Sequence, residues 1–474
     1  MSAPDLLIAS NRGPYVYERS GTGFTARRGG GGVSGSLGPV LSELGGCWIA
    51  SALGEGDREF AREHPGGREE NGFHLRLLDI PPDLHHLHYE VVSNEYLWFL
   101  FHYLFDVPSE PIFDDSFAAA WEGYRRVNEI YAEAAIATPA DAVLFQDYQL
   151  ILAGRMVRQK SRVSRPLLYF HHTPWCDPAY FSLLPDAIAN EILGSMLAYD
   201  VVGFHSRRWA DAFVACCDRY LPRVKVDGDE ISYKRRTTRI LVAPVPVDAE
   251  RLRTQAHDPA SASWISSHDA MREGRKLLLR VDRIDLSKNP FRGFLAFEKL
   301  LERDPKRAND VVFLALLYPS RLSVERYQRY FADCLGVVRR VNDRFSKKLK
   351  AEAGPIHLLF EDDFNRSLAA MRLYDVLLVN PVFDGLNLVA KEGPAINERS
   401  GAVLLSRNAG VFEEIGPATI PLNPFDVTAT ADAMEHALDL GADERAAAAS
   451  KLRRLATRSS PAEWLRRQLE AAGL

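Results

Sequence analysis

Short apolar runs recur along the chain at Leu6–Ile8, Ala142–Phe145, Leu167–Phe170, Val201–Phe204, Ile240–Val245, Leu277–Val281, Val311–Leu317, His357–Phe360, Val376–Val379 and Ala402–Leu405. Longer amphipathic stretches separate them. A strand covered on both faces has no polar side to show, so runs of this kind spaced by helix-length segments predict parallel sheets wrapped by helices, an α/β fold. The 474 residues suffice for about two or three domains. Pro244-Val245-Pro246 marks the best boundary, between 1–245 and 246–455. The Ala-, Arg- and Leu-rich stretch Ala446–Leu474 predicts helix, and 456–474 is expected to cross back to the first half. The polar stretch Ala256–His268 reads as a surface excursion.

Composition excludes more than it selects. A net charge of −5 gives no electrostatic case for nucleic acid, so arginine-rich loops point to small phosphorylated substrates. Cys47, Cys176, Cys216, Cys217 and Cys334 are irregularly spaced, the start lacks signal-peptide character, and nothing approaches a membrane-spanning apolar run. A reduced, cytoplasmic protein without a membrane partner is expected.

Two segments carry chemistry. In Asn380 to Glu392 an apolar run leads through Asp384-Gly385 into helical sequence from Leu388. Unpaired N–H groups at such a helix start suit a diphosphate, and Asp384 suits sugar hydroxyls. Glu392, eight residues on, is placed deep enough in the helix to meet a ribose; the bland alternative is a surface turn followed by a solvated glutamate. In Leu277 to Pro290 a buried strand is followed by Arg283 and Lys288, five residues apart in one loop. Preorganised cations stabilise a departing diphosphate without a metal, whereas pairing of Arg283 with Asp282 or Asp285 is the structural alternative.

Gly29 to Gly32 follows Arg27-Arg28, which suits a flexible, phosphate-attracting lid or a plain linker, and it lacks the dinucleotide glycine spacing. Asp147 and His171-His172 each follow an apolar run and so belong at strand ends, where sites in open α/β sheets form; either histidine also suits a structural role. Arg12 and Arg321 follow strands at which a planar fork grips phosphate, while Tyr89 and Trp98 suit either core or ligand contact. His85, His86 and His88 lack the companion ligands of a metal site, and Asp114-Asp115 and Asp362-Asp363 read as loop carboxylates, so neither metal nor cofactor is called for.

Taken in order, Ser10-Asn11-Arg12, Arg28 to Gly32, Tyr89 to Asn94 with Leu97-Trp98, Gln146 to Leu150, His171 to Trp175, Val281 to Lys288, Pro319-Ser320-Arg321 and Asp384 to Glu392 resemble the trehalose-6-phosphate synthases, over nearly the whole chain. The resemblance implies a GT-B fold of two Rossmann-like domains facing across a central cleft. It implies that Arg283 and Lys288 hold the donor diphosphate, Glu392 the ribose, and Asp384 with Gly385, Leu386, Asn387, Leu388 and Val389 the donor glucose. Gly32 matches the glycine of a loop that closes over the donor, and His172 a histidine beside the donor 6-hydroxyl. Arg12, Tyr89, Trp98 and Arg321 match residues around the acceptor phosphate, and Asp147 a carboxylate facing acceptor hydroxyls.

Two departures bear on the acceptor. Many members have Trp-x-Gly-Trp where this chain has Trp48-Ile-Ala-Ser51, and His-Asp-Tyr-His where it has Gln146 to Gln149. The implied reaction is transfer of glucose from GDP- or UDP-glucose to glucose 6-phosphate, with retention. The partners are thus a nucleotide-sugar donor and a sugar-phosphate acceptor, with a homo-oligomer left open. A pseudo-glycosyltransferase of the validoxylamine type and a non-catalytic sugar-phosphate regulator are the alternatives.

Overall fold

The computed structural model describes every residue except 1–4, 22, 30–31, 162–163, 322–323 and 350–353. The chain packs as two compact units, Met1–Val245 with Pro461–Leu474, and Pro246–Ser460. The expected break at 455/456 falls inside the helix Ala442–Ala456, and the return to the first unit begins at Pro461, where proline at the first helical turn lacks only an N–H that would be unpaired there anyway.

The first unit is built on a ten-stranded sheet. The strand Leu6–Ser10 lies in its middle, parallel to Cys47–Ser51 on one side and to Ala142–Gln146 on the other. Phe73–Leu78 extends the first side, and Leu167–His171, Val201–Phe204 and Arg236–Val242 extend the second, all parallel. The order therefore reverses between Leu6–Ser10 and Ala142–Gln146. Short antiparallel strands close the two edges.

The second unit repeats the plan with six parallel strands, in the order Ile356–Phe360, Val311–Tyr318, Lys276–Arg283, Val376–Val379, Ala402–Ser406, Ile420–Leu422. This is the Rossmann order, reversing between Lys276–Arg283 and Val376–Val379. Its core runs through Leu278, Phe294, Phe297, Leu300, Phe313, Val376, Leu378 and Leu404, all buried. Burying each such side chain contributes about 1.5–3 kcal/mol. Close packing leaves no room above the central strands: a Cβ at Gly393 would meet Leu377 Cδ2 at 2.7 Å.

Several local expectations change. Ala256–His268 belongs to the helices Ala249–His257 and Pro259–Arg272, the first capped by Asp248 and the second opened by Pro259. Asp114 and Asp363 are helix caps, accepting from Phe117 N at 3.0 Å and Arg366 N at 2.9 Å, rather than loop carboxylates. Arg27 and Arg28 lie on a hairpin strand, Gly23–Arg28, so the glycine run read as a lid follows directly on a strand. Gly32 opens the helix Gly32–Leu44, while Gly30 and Gly31 lie outside the described residues.

The returning helix Pro461–Ala471 is held by Trp464, which is buried, donates Nε1–H to Ala243 O at 2.8 Å and packs edge-on to Phe170 at 5.0 Å. Trp464→Ala leaves a large cavity and an unpaired carbonyl, and is expected to cost about 3–5 kcal/mol. A lowered denaturation midpoint, with faster amide exchange over residues 240–245, is the expected measurement.

Candidate active site

In an open parallel sheet the chain leaves neighbouring strands toward opposite faces where the order reverses, so a crevice opens above their carboxyl ends. Arg12 and Asp147 in the first unit, and Arg283, Lys288 and Asp384 in the second, stand at the ends of the strands that flank that place, whereas His172 and Arg321 follow the next strands out.

In the second unit, Arg283 ends the strand Lys276–Arg283, and Lys288 closes the short turn Leu286–Lys288 that follows it. From the neighbouring strand Val376–Val379 the chain runs through Asp384 to the helix Val389–Ile396. Lys288 Nζ forms an ion pair with Asp384 Oδ2 that bridges the two strand ends. Asn387 Nδ2 donates to the same oxygen at 3.1 Å, and its Oδ1 accepts from Ala390 N at 3.3 Å. Burial pulls the Lys288 ammonium down, but the carboxylates of Asp384 and Asp282 outweigh it and hold the group above its ordinary pKa. Glu392 sits in the first helical turn rather than deep in the helix. That places it at the positive end of the helix dipole, close to the strand ends.

The two carboxylates of the structural alternative each hold another arginine as well, and Arg283 still acts on Asp282, where its charge favours the carboxylate. Asp282 accepts from Arg280 Nη2 at 2.9 Å, and Asp285 accepts from Arg321 Nη1 at 2.6 Å. Arg280, fully buried, also donates to the Lys288 carbonyl and to Asn380 Oδ1, tying the cationic turn to the end of the next strand. Neither Arg280 nor Asp285 stood out in the sequence; the signal was an arginine and an aspartate flanking a hydrophobic strand end, where a buried charge must find a partner.

In the first unit, Arg12 follows Leu6–Ser10 and donates Nη2 to the Tyr89 hydroxyl at 3.3 Å. Tyr89 lies in a π-helical segment, His86–Leu97, a form concentrated at functional sites, and Trp98 begins the next turn with its ring stacked on His102 at 3.8 Å. Across the reversal, Asp147 follows Ala142–Gln146, and its Oδ1 accepts from His172 N at 3.0 Å.

The imidazoles here have assignable protons. Val245 N–H can only donate, so His205 Nδ1, at 3.4 Å, accepts, and His205 Nε2–H donates to His172 Nδ1 at 3.2 Å. His172 Nε2–H then donates to Gln146 Oε1 at 2.9 Å. Burial holds His172 down at about 3, so the imidazole is neutral at physiological pH. Gln146, where many of the resembling enzymes carry histidine, is thereby oriented, and among the described residues its buried Nε2 has no hydrogen-bond partner. Ser51, at the place of the absent tryptophan, is buried against the Tyr131 hydroxyl at 2.7 Å and Asn11 Oδ1 at 3.3 Å.

Backbone strain marks the same places. Asp147, Asn289, Arg321 and Asn387 have φ of +70°, +61°, +48° and +80°. Each left-handed non-glycine residue costs on the order of 1–3 kcal/mol and persists where its surroundings over-determine it. Among the described residues no His, Cys, Asp or Glu group is arranged to hold a metal ion, and no helix is long and apolar enough to cross a membrane.

Two doubly wound units with sites at their reversal points define the GT-B class of glycosyltransferase. The profile of glycosyltransferase family 20 matches residues 4–473, and the chain belongs to that family. It is 29% identical over 472 residues to an Aspergillus niger protein named alpha,alpha-trehalose-phosphate synthase [UDP-forming] 2, covering 97% of this chain and 95% of that one. A probable Arabidopsis thaliana synthase of the same name is 29% identical over 456 residues, but this chain spans only 53% of its length. Among solved structures, a Burkholderia xenovorans alpha,alpha-trehalose-phosphate synthase in complex with glucose-6-phosphate superposes with a TM-score of 0.85 at 25% identity, over 99% of this chain and 100% of that one. An E. coli structure bound with UDP-2-fluoro glucose matches with a TM-score of 0.86 at 24% identity, over 99% of each chain.

Burial raises the Glu392 carboxyl from its ordinary 4.5 to about 7. The native state therefore holds a proton that the unfolded chain releases, and stability falls as pH rises from 4.5 through about 7. Glu392→Gln keeps the shape without the titration, so its stability, followed by urea denaturation at a series of pH values, is expected to decline less over that window.

Proposed function

We propose that this glycosyltransferase moves glucose from UDP- or GDP-glucose to glucose 6-phosphate, giving α,α-trehalose 6-phosphate with the α configuration kept. The observation that carries the reading is the Lys288–Asp384 pair spanning the two strand ends. An ammonium and a carboxylate side by side match a sugar diphosphate, the first for a phosphate oxygen and the second for sugar hydroxyls. Arg283 shares the diphosphate, Glu392 accepts from the ribose, and the backbone from Gly385 through Leu386 and Leu388 to Val389 follows the sugar. Gly32, at the start of its helix, is assigned to the donor side. Of the first unit's residues, neutral His172 is assigned the donor 6-hydroxyl, Arg12, Tyr89 and Trp98 the acceptor, and Asp147 the acceptor hydroxyls; Arg321, which belongs to the second unit, is assigned the acceptor phosphate. The relatives named as UDP-forming trehalose-phosphate synthases support the donor class and the product.

In the reaction, the bond between the donor anomeric carbon and the diphosphate oxygen breaks while the anomeric hydroxyl oxygen of the acceptor bonds to that carbon from the same face. The acceptor proton passes to the leaving phosphate oxygen, and Arg283 and Lys288 stabilise the charge that develops there. A second reading, transfer of a cyclitol to an aminocyclitol phosphate, is favoured by Ser51 and Gln146, which give the acceptor side other hydrogen-bonding groups than the resembling enzymes have.

Incubation with each glucose nucleotide and glucose 6-phosphate decides between them: product with either donor upholds the first reading, and silence with both turns to the second. Arg283→Ala is expected to lower kcat by about 10²–10³-fold with the melting temperature nearly unchanged. Near-normal turnover in that variant would remove the mechanism.

A further inference from the structure

In the second unit one carboxylate holds two functional segments. Asp285 is fully buried. Its Oδ1 accepts from the Ser287 N–H at 2.9 Å and from the Ser287 hydroxyl at 2.8 Å, capping the turn that ends in Lys288. Its Oδ2 accepts from Arg321 Nη1 at 2.6 Å and from the Tyr327 hydroxyl at 3.4 Å. The far end of the turn is fastened as well, because Arg280 donates to the Lys288 carbonyl. The turn is thus a clamped unit, and the Arg321 guanidinium, with its side chain 8% exposed, is attached to it by an ion pair across 36 residues.

We propose that Asp285 is a positioning residue that couples nucleoside diphosphate binding at Arg283 and Lys288 to sugar-phosphate binding at Arg321. The inference rests on the substrate reading given above. A diphosphate that draws Lys288 toward itself moves the turn, and Asp285 moves with it. A buried carboxylate and guanidinium stay together, since separating them leaves an uncompensated charge out of water, so Arg321 follows. The reverse holds for a phosphate bound at Arg321, because coupling between two binding sites is reciprocal. Arg321 at φ +48° is held in the small left-handed region, a conformation that persists only where its surroundings fix it.

Calorimetry on the full chain tests this. UDP and GDP are titrated with and without glucose 6-phosphate, and glucose 6-phosphate with and without each nucleotide. The wild type is expected to bind each ligand about tenfold more tightly in the presence of the other, a typical coupling factor. Asp285→Asn keeps an oxygen for the Ser287 cap but turns an amide N–H2 toward Arg321. Its coupling factor is expected to fall to within about twofold of unity, with nucleotide affinity measured alone little changed. Ser287→Ala removes only the hydroxyl contact to Oδ1, is expected to give an intermediate coupling factor, and carries the test if the first variant does not fold. Unchanged coupling in a folded variant, equal weakening of both ligands at a constant ratio, or no coupling in the wild type overturns the proposal. An enzyme that makes trehalose 6-phosphate yet shows such unchanged coupling keeps its function and loses this inference; absence of glucose 6-phosphate binding overturns both.

Discussion

A parallel sheet that grows in both directions from its first strand sends neighbouring chains to opposite faces, and no connection covers the gap above that strand. Arg12, Asp147, Arg283, Lys288 and Asp384 depend on that constraint. In the first unit the gap lies between Leu6–Ser10 and Ala142–Gln146, and in the second between Lys276–Arg283 and Val376–Val379. Hydrophobic burial builds the sheets, but handed connections decide where polar groups are left facing outward.

The second consequence is electrostatic. Residues at the edge of a sheet core are partly withdrawn from water, and an unmatched charge there is costly. The second unit meets this by interlocking opposite charges: Arg280 with Asp282, Lys288 with Asp384, and Arg321 with Asp285. Glu392 shows the other solution, a carboxyl pushed up to about 7 by burial. Such a network holds its members together, because separating a buried pair leaves an uncompensated charge out of water.

The buried parallel strands were legible because a strand covered on both faces has no polar alternation to confuse it: Leu277–Val281, Val311–Leu317 and Val376–Val379 lie within observed strands. The half-exposed hairpin Tyr15–Ser20 with Gly23–Arg28 and the edge strands Lys225–Asp227 and Glu230–Tyr233 carry too many charges to read that way. Ala256–His268 read as loop because serine and aspartate are poor helix formers, yet packing against the helix Phe364–Leu373 overrides the propensity, with His268 Nε2 against Arg366 O at 3.2 Å. Arg283, Lys288 and Asp384 could be named from short motifs because Arg283 ends its strand and the other two lie in the short segments that follow the strand ends. Asp285 could not be matched to Arg321, nor Gln146 to His172 and His205, since those partnerships join segments that only the sheet order brings together.

The return of Pro461–Leu474 to the first unit also sets an order in time. A ribosome completes Pro246–Ser460 before the helix bearing Trp464 emerges, so the second unit has its whole sequence in hand while the first still lacks a piece of its wall. Until then Phe170 has the His172 and His205 rings against it but not the indole, and the Ala243 carbonyl waits for its indole donor. Although it is synthesised first, the N-terminal sheet is the one that finishes last.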